Sequence, residues 1–530
     1  MHIRSAILLL FICSDITASI VCPKLCKCSY SEDNKIFAEC SNSSITHLPL
    51  DRAKIINMMT VNFNNITTLR TREFQNAELL KLEILMLRNN GLRIIQRNAF
   101  LGMKNLIDLD LNDNLISLYP GIFNGLDELT YLSLRNNKIF ILEKHVLQDI
   151  PKIKELVLSS NFIVEIEKEA FKYLSNLTYL NVRHNLINQI NKIDFQDISH
   201  LEILDLGENN ITKLEEASFE NLIKLKELKL DGNLLTSLAP CMFEGLSKLQ
   251  RVRLDKNNIR VIFPDTFKST KRLEVFLMWK NKLTTLSREI WSELHYATDI
   301  VLRDNKISTW EPNSFWNMKE LTLLDLGTNY LESIPADVFL NVTKLHNLNL
   351  SNNKISTLDP NIFNNTRITH LNLSGNKILS LGPDVLKYLK NLEKIWISEN
   401  GLTYIHPNAF VNNHKLKEIF LDNNKLTTIN KNLFTSLTTL TSVELFNNSF
   451  ICDCNLKVTW TWLNMNNLRT SMKIMMQNKA RSSLSTTIEP TCAAPNELKG
   501  REWSVLSEIK CEEPTETIEN VSEFSDGNER

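Results

Sequence analysis

Cysteines carry the most reactive chemistry in this 530-residue chain, and eight of the ten fall into two clusters. The first cluster is Cys22, Cys26, Cys28 and Cys40, and the second is Cys452, Cys454, Cys492 and Cys511. Thiols at these spacings can form disulfides or bind zinc. Four cysteines allow three disulfide pairings, so spacing alone leaves the connectivity within each cluster open. Only Cys13 and Cys241 lie outside the clusters.

The first residues favour disulfides over zinc, because residues 1–19 have the features of a secretory signal peptide. Arg4 supplies the positive end, residues 5–13 form a short apolar run, and small residues precede the cleavage point. Nine apolar residues are too few to cross a hydrocarbon core of about 30 Å. Cleavage would remove Cys13 and send the remaining cysteines into an oxidising compartment. With no apolar span or lipid-anchor tail, the chain is predicted to be secreted.

Motifs for catalysis are absent from the sequence. It contains no G-x-S-x-G, no H-E-x-x-H and no glycine-rich phosphate loop. Three histidines, His184, His346 and His370, occupy water-facing positions of predicted strands, and His346 and His370 are 24 residues apart. A metal or general-base site at that pair is one reading, and solvated surface histidines are the other, which we prefer. We therefore predict a non-enzymatic protein with no metal and no cofactor.

Asparagine supplies a different kind of chemistry, because N-x-S/T motifs accept N-linked glycans in secreted proteins. Ten motifs occur, at Asn42, Asn65, Asn176, Asn210, Asn341, Asn349, Asn364, Asn372, Asn447 and Asn520. Asn349 and Asn372 are each the centre of an L-N-L triplet. A glycan on either would cover the strand surface there.

All these residues are positioned by one eleven-residue pattern, L-x-x-L-x-L-x-x-N-x-L, which is clear at 321–331. Its asparagine recurs seventeen times, and thirteen of the sixteen intervals are 24 residues. So regular a period predicts a solenoid. The asparagines are Asn64, Asn90, Asn114, Asn137, Asn161, Asn185, Asn209, Asn233, Asn257, Asn281, Asn305, Asn329, Asn353, Asn376, Asn400, Asn424 and Asn448.

Each recurring position has a physical role. In Leu324-Asp325-Leu326, alternate side chains of a short strand point in opposite directions, so both leucines enter the core and Asp325 faces water. The amide of Asn329 can pair the backbone groups of the turn, which predicts a buried ladder of asparagines. Phenylalanine lies fourteen residues before most of these asparagines and predicts a second core row. Leu147, Trp291 and Leu386 take its place in three repeats.

From Cys22 to Cys511 the chain resembles extracellular leucine-rich repeat proteins with cysteine-rich flanks. The resemblance implies an α/β fold, a curved horseshoe with a parallel β-sheet on its concave face and irregular or short helical segments on its convex side. It also implies a disulfide-bonded cap at each end, with bridges Cys22–Cys28, Cys26–Cys40, Cys452–Cys492 and Cys454–Cys511. Cys241 is left without an intrachain partner and could join two chains in a homodimer.

The predicted organisation follows from the repeats and caps. It comprises a signal peptide at 1–19, an N-terminal cap at 20–44, about seventeen repeats at 45–450, a C-terminal cap at 451–511 and a tail at 512–530. The tail carries seven acidic residues and one basic residue, which predicts disorder. For the segment 470–485 the sequence predicts no structure.

Function must come from the water-facing strand residues. A formal net charge of −1 argues against nucleic acid or anionic membrane as the main partner. Grouped exposed aromatic residues favour a protein interface. Two such patches are predicted: Leu277, Trp279, Val301 and Arg303 form the principal one, and Trp396, Phe420 and Phe446 form a second. A charged region is a weaker candidate, because its opposite charges can satisfy one another: Glu202, Asp205, Glu208, Lys226, Lys229, Arg251 and Arg253.

These observations predict a secreted scaffold whose concave face holds an extracellular protein or peptide, as a carrier or stabilising subunit. One alternative is an extracellular matrix or cell-surface adhesion or guidance molecule. The other is an innate-immune recognition protein. The missing membrane anchor favours the carrier over the adhesion molecule.

Overall fold

The computed structural model describes residues 22–51, 53–79, 81–477 and 483–511. The predicted signal peptide (1–19) and acidic tail (512–530), and with them Asn520, lie outside the described residues. The chain forms two compact units. The first comprises residues up to 307 together with 317–321, and the second comprises 308–316 and the residues from 322 onward.

The first unit is built almost entirely from very short strands. They are β1 (Lys27–Tyr30), β2 (Ile36–Glu39), β3 (Met58–Thr60), β4 (Thr68–Leu69), β5 (Ile84–Met86), β6 (Ile94–Ile95), β7 (Asp108–Asp110), β8 (Tyr131–Ser133), β9 (Ile141–Leu142), β10 (Glu155–Val157), β11 (Glu165–Ile166), β12 (Tyr179–Asn181), β13 (Gln189–Ile190), β14 (Ile203–Asp205), β15 (Lys213–Leu214), β16 (Glu227–Lys229), β17 (Ser237–Leu238), β18 (Arg251–Arg253), β19 (Val261–Ile262), β20 (Val275–Leu277), β21 (Thr285–Leu286) and β22 (Asp299–Val301). Its helices are α1 (Glu73–Asn76), α2 (Arg288–Trp291) and a 3₁₀ turn at Ala53–Ile55.

One parallel sheet runs through this unit from β2 to β22, using one strand per repeat. Its register is constant, so corresponding residues are neighbours, as Leu180, Leu204 and Leu228 are. The middle residue of each three-residue strand is buried, whereas the first and third residues point to the opposite side. We call that opposite side the strand face. Each of several repeats also contains another strand of only two residues. These shorter strands pair in parallel as β4–β6, β9–β11, β13–β15 and β17–β19.

The second unit repeats this plan. Its strands are β23 (Thr309–Trp310), β24 (Leu323–Asp325), β25 (Asn347–Asn349), β26 (His370–Asn372), β27 (Ser380–Leu381), β28 (Lys394–Trp396), β29 (Tyr404–Ile405), β30 (Glu418–Phe420), β31 (Ser442–Glu444), β32 (Met472–Gln477) and β33 (Ser483–Ile488). A parallel sheet joins β24, β25, β26, β28, β30 and β31 in constant register. The helical elements are α3 (Cys454–Met465) and 3₁₀ turns at Lys431–Leu433, Asn496–Leu498 and Trp503–Glu508.

The predicted asparagine ladder is present and shows why each turn closes. The side-chain nitrogen of Asn185 donates to the carbonyl oxygens of Leu158 at 3.0 Å and Val182 at 2.9 Å. Its side-chain oxygen accepts from the backbone nitrogen of Ile163 at 3.0 Å. Each amide therefore satisfies backbone groups of its own repeat and of the preceding one. All but two of the seventeen side chains are buried, the exceptions being the half-buried Asn400 and Asn448.

The phenylalanine row is also confirmed, since its members are fully buried and stack on one another. The rings of Phe171, Phe195 and Phe219 follow at centroid distances of 6.2 Å. Leu147, Trp291 and Leu386 are equally buried where they replace phenylalanine. The solenoid predicted from the repeat is therefore confirmed in each unit.

Two adjacent repeats, those of Asn281 and Asn305, carry unusual core residues. Phe276 occupies a core strand position and packs edge-on against both Phe267 at 5.2 Å and Trp291 at 5.9 Å. Ala297, where leucine is usual in the repeat, is fully buried nearby in sequence. The unusual residues are therefore accommodated inside the core, where Phe276 and Trp291 contact each other directly.

Disulfides fasten both ends of the solenoid, with the connectivity that the family resemblance implied. At the N-terminal end β1 pairs antiparallel with β2, and the bridges are Cys22–Cys28 and Cys26–Cys40. This hairpin covers the first parallel strand, whose apolar edge would otherwise be exposed.

The C-terminal cap is organised around α3. Asp453 caps this helix by accepting from the backbone nitrogen of Leu456 at 2.9 Å. The bridges Cys452–Cys492 and Cys454–Cys511 join its start to later parts of the chain. The segment for which the sequence predicted no structure is an antiparallel hairpin of β32 and β33, with 478–482 outside the described residues.

Candidate binding surface on the strand face

Three aromatic rings stack along the strand face of the second unit. Trp396 on β28 and Phe420 on β30 are neighbours in register, with ring centroids 5.2 Å apart and planes only 10° from parallel. His370, the first residue of β26, stacks on the other side of Trp396 at 6.2 Å. All three side chains are half-buried. We call His370, Trp396 and Phe420 the aromatic stack, an apolar surface on a face that mostly carries polar residues.

His370 was missed as a member of this surface. The sequence places it on the strand face but two residues before the position that Trp396 occupies in its own strand. His370 is the first residue of its strand and Trp396 is the third residue of the adjacent strand, so the two side chains meet diagonally. Aromatic side chains are long enough to make such a contact. Side-chain direction rather than repeat spacing decides this contact.

Phe446 does not belong to the exposed surface, so its assignment to the second patch is corrected. Its side chain is only 6% exposed. It follows β31, the last strand of the repeats, and there the C-terminal cap runs alongside: the backbone nitrogen of Val443 donates to the carbonyl of Arg469 at 2.8 Å. The same position is also buried in internal repeats, as at Asp231, Asp255 and Asp422, so it does not belong to the exposed surface.

Charged residues flank the aromatic stack. Lys394 pairs with Glu418 at 2.9 Å, and Lys417 pairs with Glu393 at 2.7 Å. Glu444 lies beside Phe420 in register and has no ion pair or side-chain hydrogen bond with any residue that the structure describes. Burial, followed by the nearby Asp422, raises the pKa of the Glu444 carboxyl group above its usual value.

The patch predicted as the principal one lies in the first unit. Leu277 and Val301 are in-register neighbours on β20 and β22, and both are half-buried. Trp279 is also half-buried, and Arg303 is exposed. The ammonium group of Lys256 lies over the indole of Trp279, 5.3 Å from the ring centroid, so this tryptophan already has a cation as partner.

The charged region of the first unit is an internal network centred on Arg183. This guanidinium contacts Asp231 at 2.7 Å, Glu208 at 3.2 Å and Asp205 at 3.5 Å. Asp205 and Asp231 are buried, and Lys229 reaches Asp205 at 3.5 Å. The hydrogen bond with Asp231 is the main cause that raises the pKa of Arg183. We call these residues the Arg183 network, and its opposite charges satisfy one another.

Gly207 makes the reach of Arg183 possible. Asp231 lies two repeats beyond Arg183, and Gly207 occupies the equivalent position in the repeat between them. A Cβ atom at Gly207 would lie 2.2 Å from the Arg183 Nη1 atom. The absence of a side chain therefore leaves the path open for the guanidinium.

Asp255 extends the same network. Its side chain is fully buried and contacts the Nε atom of Arg253 at 3.4 Å. Burial raises the pKa of the Asp255 carboxyl group, and the hydrogen bond from Arg253 opposes this shift. The outer pair Lys226–Glu202, at 2.8 Å, is exposed and adds little stability.

The histidine pair does not form a metal site in the described part of the chain. Among those residues no group of three or more histidine, cysteine or acidic side chains is placed to hold a metal ion. His184 and His346 are exposed, whereas His370 belongs to the aromatic stack.

The two sequons on the strand face are partly engaged in hydrogen bonds. Asn349 donates to Asp325 at 2.7 Å and accepts from the backbone nitrogen of Ser351 at 3.0 Å. Asn372 accepts from the backbone nitrogen of Ser374 at 3.0 Å. Among the other sequons with described structure, five have exposed asparagines, namely Asn42, Asn65, Asn176, Asn210 and Asn447, and two are half-buried, namely Asn341 and Asn364.

Two observations bear on where the protein resides. Cys241 is half-buried and the one cysteine outside a disulfide among the described residues. In the same part of the chain, none of the helices has the length and apolar character to cross a bilayer. Four disulfides of this kind are typical of extracellular or cell-surface proteins.

Comparison with known proteins identifies the repeats. A leucine rich repeat model matches 80–139, 112–163, 151–209 and 199–259. A model for the BspA type leucine rich repeat region matches 276–393 and 332–455. Human Toll-like receptor 8 is 31% identical over 144 residues, which is 24% of this chain and 13% of the receptor. Bovine leucine-rich repeat-containing protein 3B is 34% identical over 108 residues, 20% of this chain and 40% of that protein.

Solved structures share the fold. A TLR13–ssRNA13 complex has a TM-score of 0.70 at 24% identity, covering 80% of this chain and 62% of the other. The Drosophila Toll–Spatzle complex has a TM-score of 0.60 at 17% identity, covering 94% and 77%. A leucine-rich repeat protein of Leptospira interrogans has a TM-score of 0.56 at 25% identity, covering 82% and 95%.

The chain spans well under half the length of the two curated relatives described, so they indicate the repeat architecture rather than a shared ligand. Such scaffolds are typical of protein-binding and receptor-like proteins. The repeat matches, the asparagine ladder and the two disulfide-bonded caps together lead to one conclusion. This chain belongs to the leucine-rich repeat proteins.

Proposed function

We propose that this protein is a secreted, non-enzymatic scaffold that holds an extracellular polypeptide on its strand face, as a carrier or stabilising subunit. The observation that carries the proposal is the aromatic stack. Its half-buried rings occupy water-facing positions of three successive strands of the sheet. At such positions polar side chains would be equally compatible with the fold, so folding does not require aromatic residues there. Aromatic clusters of this kind are typical anchors of protein interfaces.

Rigidity supports the same proposal. The rings stand on hydrogen-bonded strands in constant register, and Trp396 is held between His370 and Phe420. A partner would therefore bind a surface that is already ordered, and little side-chain entropy would be lost. The patch of Leu277, Trp279, Val301 and Arg303 is a second proposed contact in the first unit.

A polypeptide fits the charges better than a nucleic acid does. Solved structures with this fold include a complex with an RNA and a complex with the protein Spatzle, so the fold leaves the ligand class open. Beside the aromatic stack, however, Glu444 and the buried Asp422 carry negative charge. Carboxylates at that place would repel a phosphate backbone.

The test begins with capture of the partner from the native extracellular fluid on the immobilised protein, followed by identification by mass spectrometry. Binding is then measured for Trp279→Ala and Trp396→Ala. We expect each to weaken binding about thirtyfold, since truncating an aromatic anchor costs about 2 kcal/mol.

Tyr404→Ala is the matched control, because Tyr404 is an exposed aromatic residue of the second unit that lies on β29, outside the main sheet. All three variants should remain folded at the temperature of the binding assay, with a modest fall in melting temperature for the tryptophan variants because ring contacts are lost. If both tryptophan variants bind as the wild type does, the strand face is not the binding surface.

Innate-immune recognition is the second candidate. The similarity to Toll-like receptor 8 favours it, although it covers 13% of that receptor. The capture experiment separates the two, because a carrier retains a host polypeptide from the fluid, whereas a recognition protein retains a microbial component when one is added.

The sequons with exposed asparagine side chains are proposed glycan sites. Asn65 and Asn210 each follow an asparagine of the ladder directly and make no side-chain hydrogen bond among the described residues. Mass spectrometry of the secreted protein before and after glycosidase treatment would test their occupancy.

A further inference from the structure

The aromatic stack ends beside a carboxylate that no neighbouring cation pairs. Glu444 is the strand neighbour of Phe420, and its side chain is half-buried. Two other carboxylates around the stack have direct lysine partners, Glu393 with Lys417 and Glu418 with Lys394. Glu444 has none within ion-pair distance among the residues that the structure describes.

The surroundings of Glu444 favour the arrival of a cation. Asp422 is buried nearby, and its two carboxylate oxygens accept only from neutral donors, the Ser398 hydroxyl and the Asn423 amide, each at 2.6 Å. Arg469 is the cation that influences Glu444, and it forms no ion pair with it. A half-buried carboxylate beside a second negative charge gains more from an opposite charge than an exposed one does.

The geometry of the rings limits what can lie beside that cation. Trp396 and Phe420 cover each other's faces, with planes 10° from parallel, and His370 covers the far face of Trp396. A planar base or sugar ring therefore cannot enter between them. Their edges remain for contact with apolar side chains of a chain that lies across the strands.

We infer that the bound polypeptide places an apolar side chain against Trp396 and Phe420 and a lysine or arginine against Glu444. This inference rests on the proposed function, because it specifies the partner of the same surface. Strands in a sheet are about 4.8 Å apart, so Trp396 and Glu444 are separated by about 10 Å. An extended chain covers about 3.3 Å per residue, which places the apolar and basic residues two or three positions apart.

The probe is a phage-displayed library of random dodecapeptides, panned on the full-length protein. We expect the selected peptides to contain an aromatic or large aliphatic residue two or three positions from a basic one. The best peptide is then synthesised with its arginine replaced by neutral citrulline, or its lysine by norleucine. This change and Glu444→Gln should each weaken binding about tenfold, and together no more than either alone.

Glu497→Gln is the matched control, since it removes the same charge from an exposed cap residue that lies in a 3₁₀ turn. It should leave peptide affinity unchanged. Two outcomes separate this inference from the proposal on which it rests. Selected peptides that need Trp396 but show no preference for basic residues would overturn the inference and leave the proposed binding surface standing. If no selected peptide depends on Trp396, both are overturned.

Discussion

The Arg183 network and the aromatic stack occupy the same kind of position, the strand face, in different units of the protein. In the first, every strong charge meets an opposite charge of the same chain, and Asp231 and Asp255 are almost completely buried. In the second, large aromatic rings remain partly exposed, and Glu444 forms no ion pair with the residues that the structure describes. The charges of the Arg183 network are therefore paired within the chain, whereas the aromatic stack and Glu444 leave apolar surface and a carboxylate available to another molecule.

This difference shows that one face of a repeat protein can contain a region that stabilises the fold and another that is available for binding. Charged side chains of neighbouring repeats lie about 5 Å apart, so opposite charges find each other and become part of the fold. Aromatic rings can stack on each other but still leave apolar edges in water. We therefore interpret the Arg183 network as structural and the aromatic stack as the place for a partner.

The largest expected effect on stability concerns Arg183 itself. Arg183→Met should lower the free energy of unfolding by about 2 kcal/mol, because it removes the closest cation of the buried Asp231, leaving Arg253 at 3.7 Å, and leaves Asp205 with Lys229 at 3.5 Å. The value is below that of a fully buried pair, since the Arg183 side chain is 30% exposed. Urea denaturation measures it. Arg251→Met is the control: Arg251 is an exposed strand residue of the same unit, and its loss should change little. Equal effects of the two substitutions would contradict a structural role for the network.

A smaller effect is expected where the network crosses Gly207. Gly207→Ala should cost about 1 kcal/mol, because the new methyl group displaces the guanidinium of Arg183 and weakens its bonds to Asp231. In the Arg183→Met background the same substitution should cost clearly less, since the guanidinium is gone and only the Asp205 Oδ1 atom, at 3.1 Å from the new Cβ, remains close. Gly382→Ala provides the comparison, because a Cβ atom there meets no atom within 4 Å. Additive losses in the double variant would show that Gly207 acts through something other than Arg183.

The smallest expected effect concerns pH. The pKa of Glu444 is raised in the folded protein, so its ionised form opposes folding above that value. As the pH falls from the raised pKa towards the ordinary value of 4.5, the folded state binds the proton first and gains stability. The stability of the wild type relative to Glu444→Gln should therefore rise across that window by a few tenths of a kcal/mol. Denaturation curves of both proteins at several pH values measure the difference. A constant or opposite difference would place Glu444 in a solvated or paired setting.

Much of the fold could be predicted because its signals are periodic. The 24-residue spacing determines the strands, the buried asparagines and the phenylalanine row, and each is set by residue type at a fixed position. Position within a repeat also indicated the water-facing residues, and Trp396 and Phe420 are indeed half-exposed neighbours.

What spacing could not predict depends on neighbours outside one repeat. Arg183 crosses an entire repeat to reach Asp231, and only the missing side chain of Gly207 permits it. His370 joins the aromatic stack along a diagonal, and Phe446 is buried at a position of the repeat that is also buried at Asp231, Asp255 and Asp422. These features depend on side-chain length and direction rather than on the period.

The most direct test of the central claim measures stability and binding for two variants side by side, Trp396→Ala and Arg183→Met, with the partner captured from the extracellular fluid. We expect Trp396→Ala to remain folded at the assay temperature, with a small loss of stability from the missing ring contacts, and to lose about thirtyfold in affinity. Arg183→Met should melt at a lower temperature and, below that temperature, bind with wild-type affinity. The reverse pattern, in which Arg183→Met abolishes binding and Trp396→Ala leaves it intact, would contradict the account.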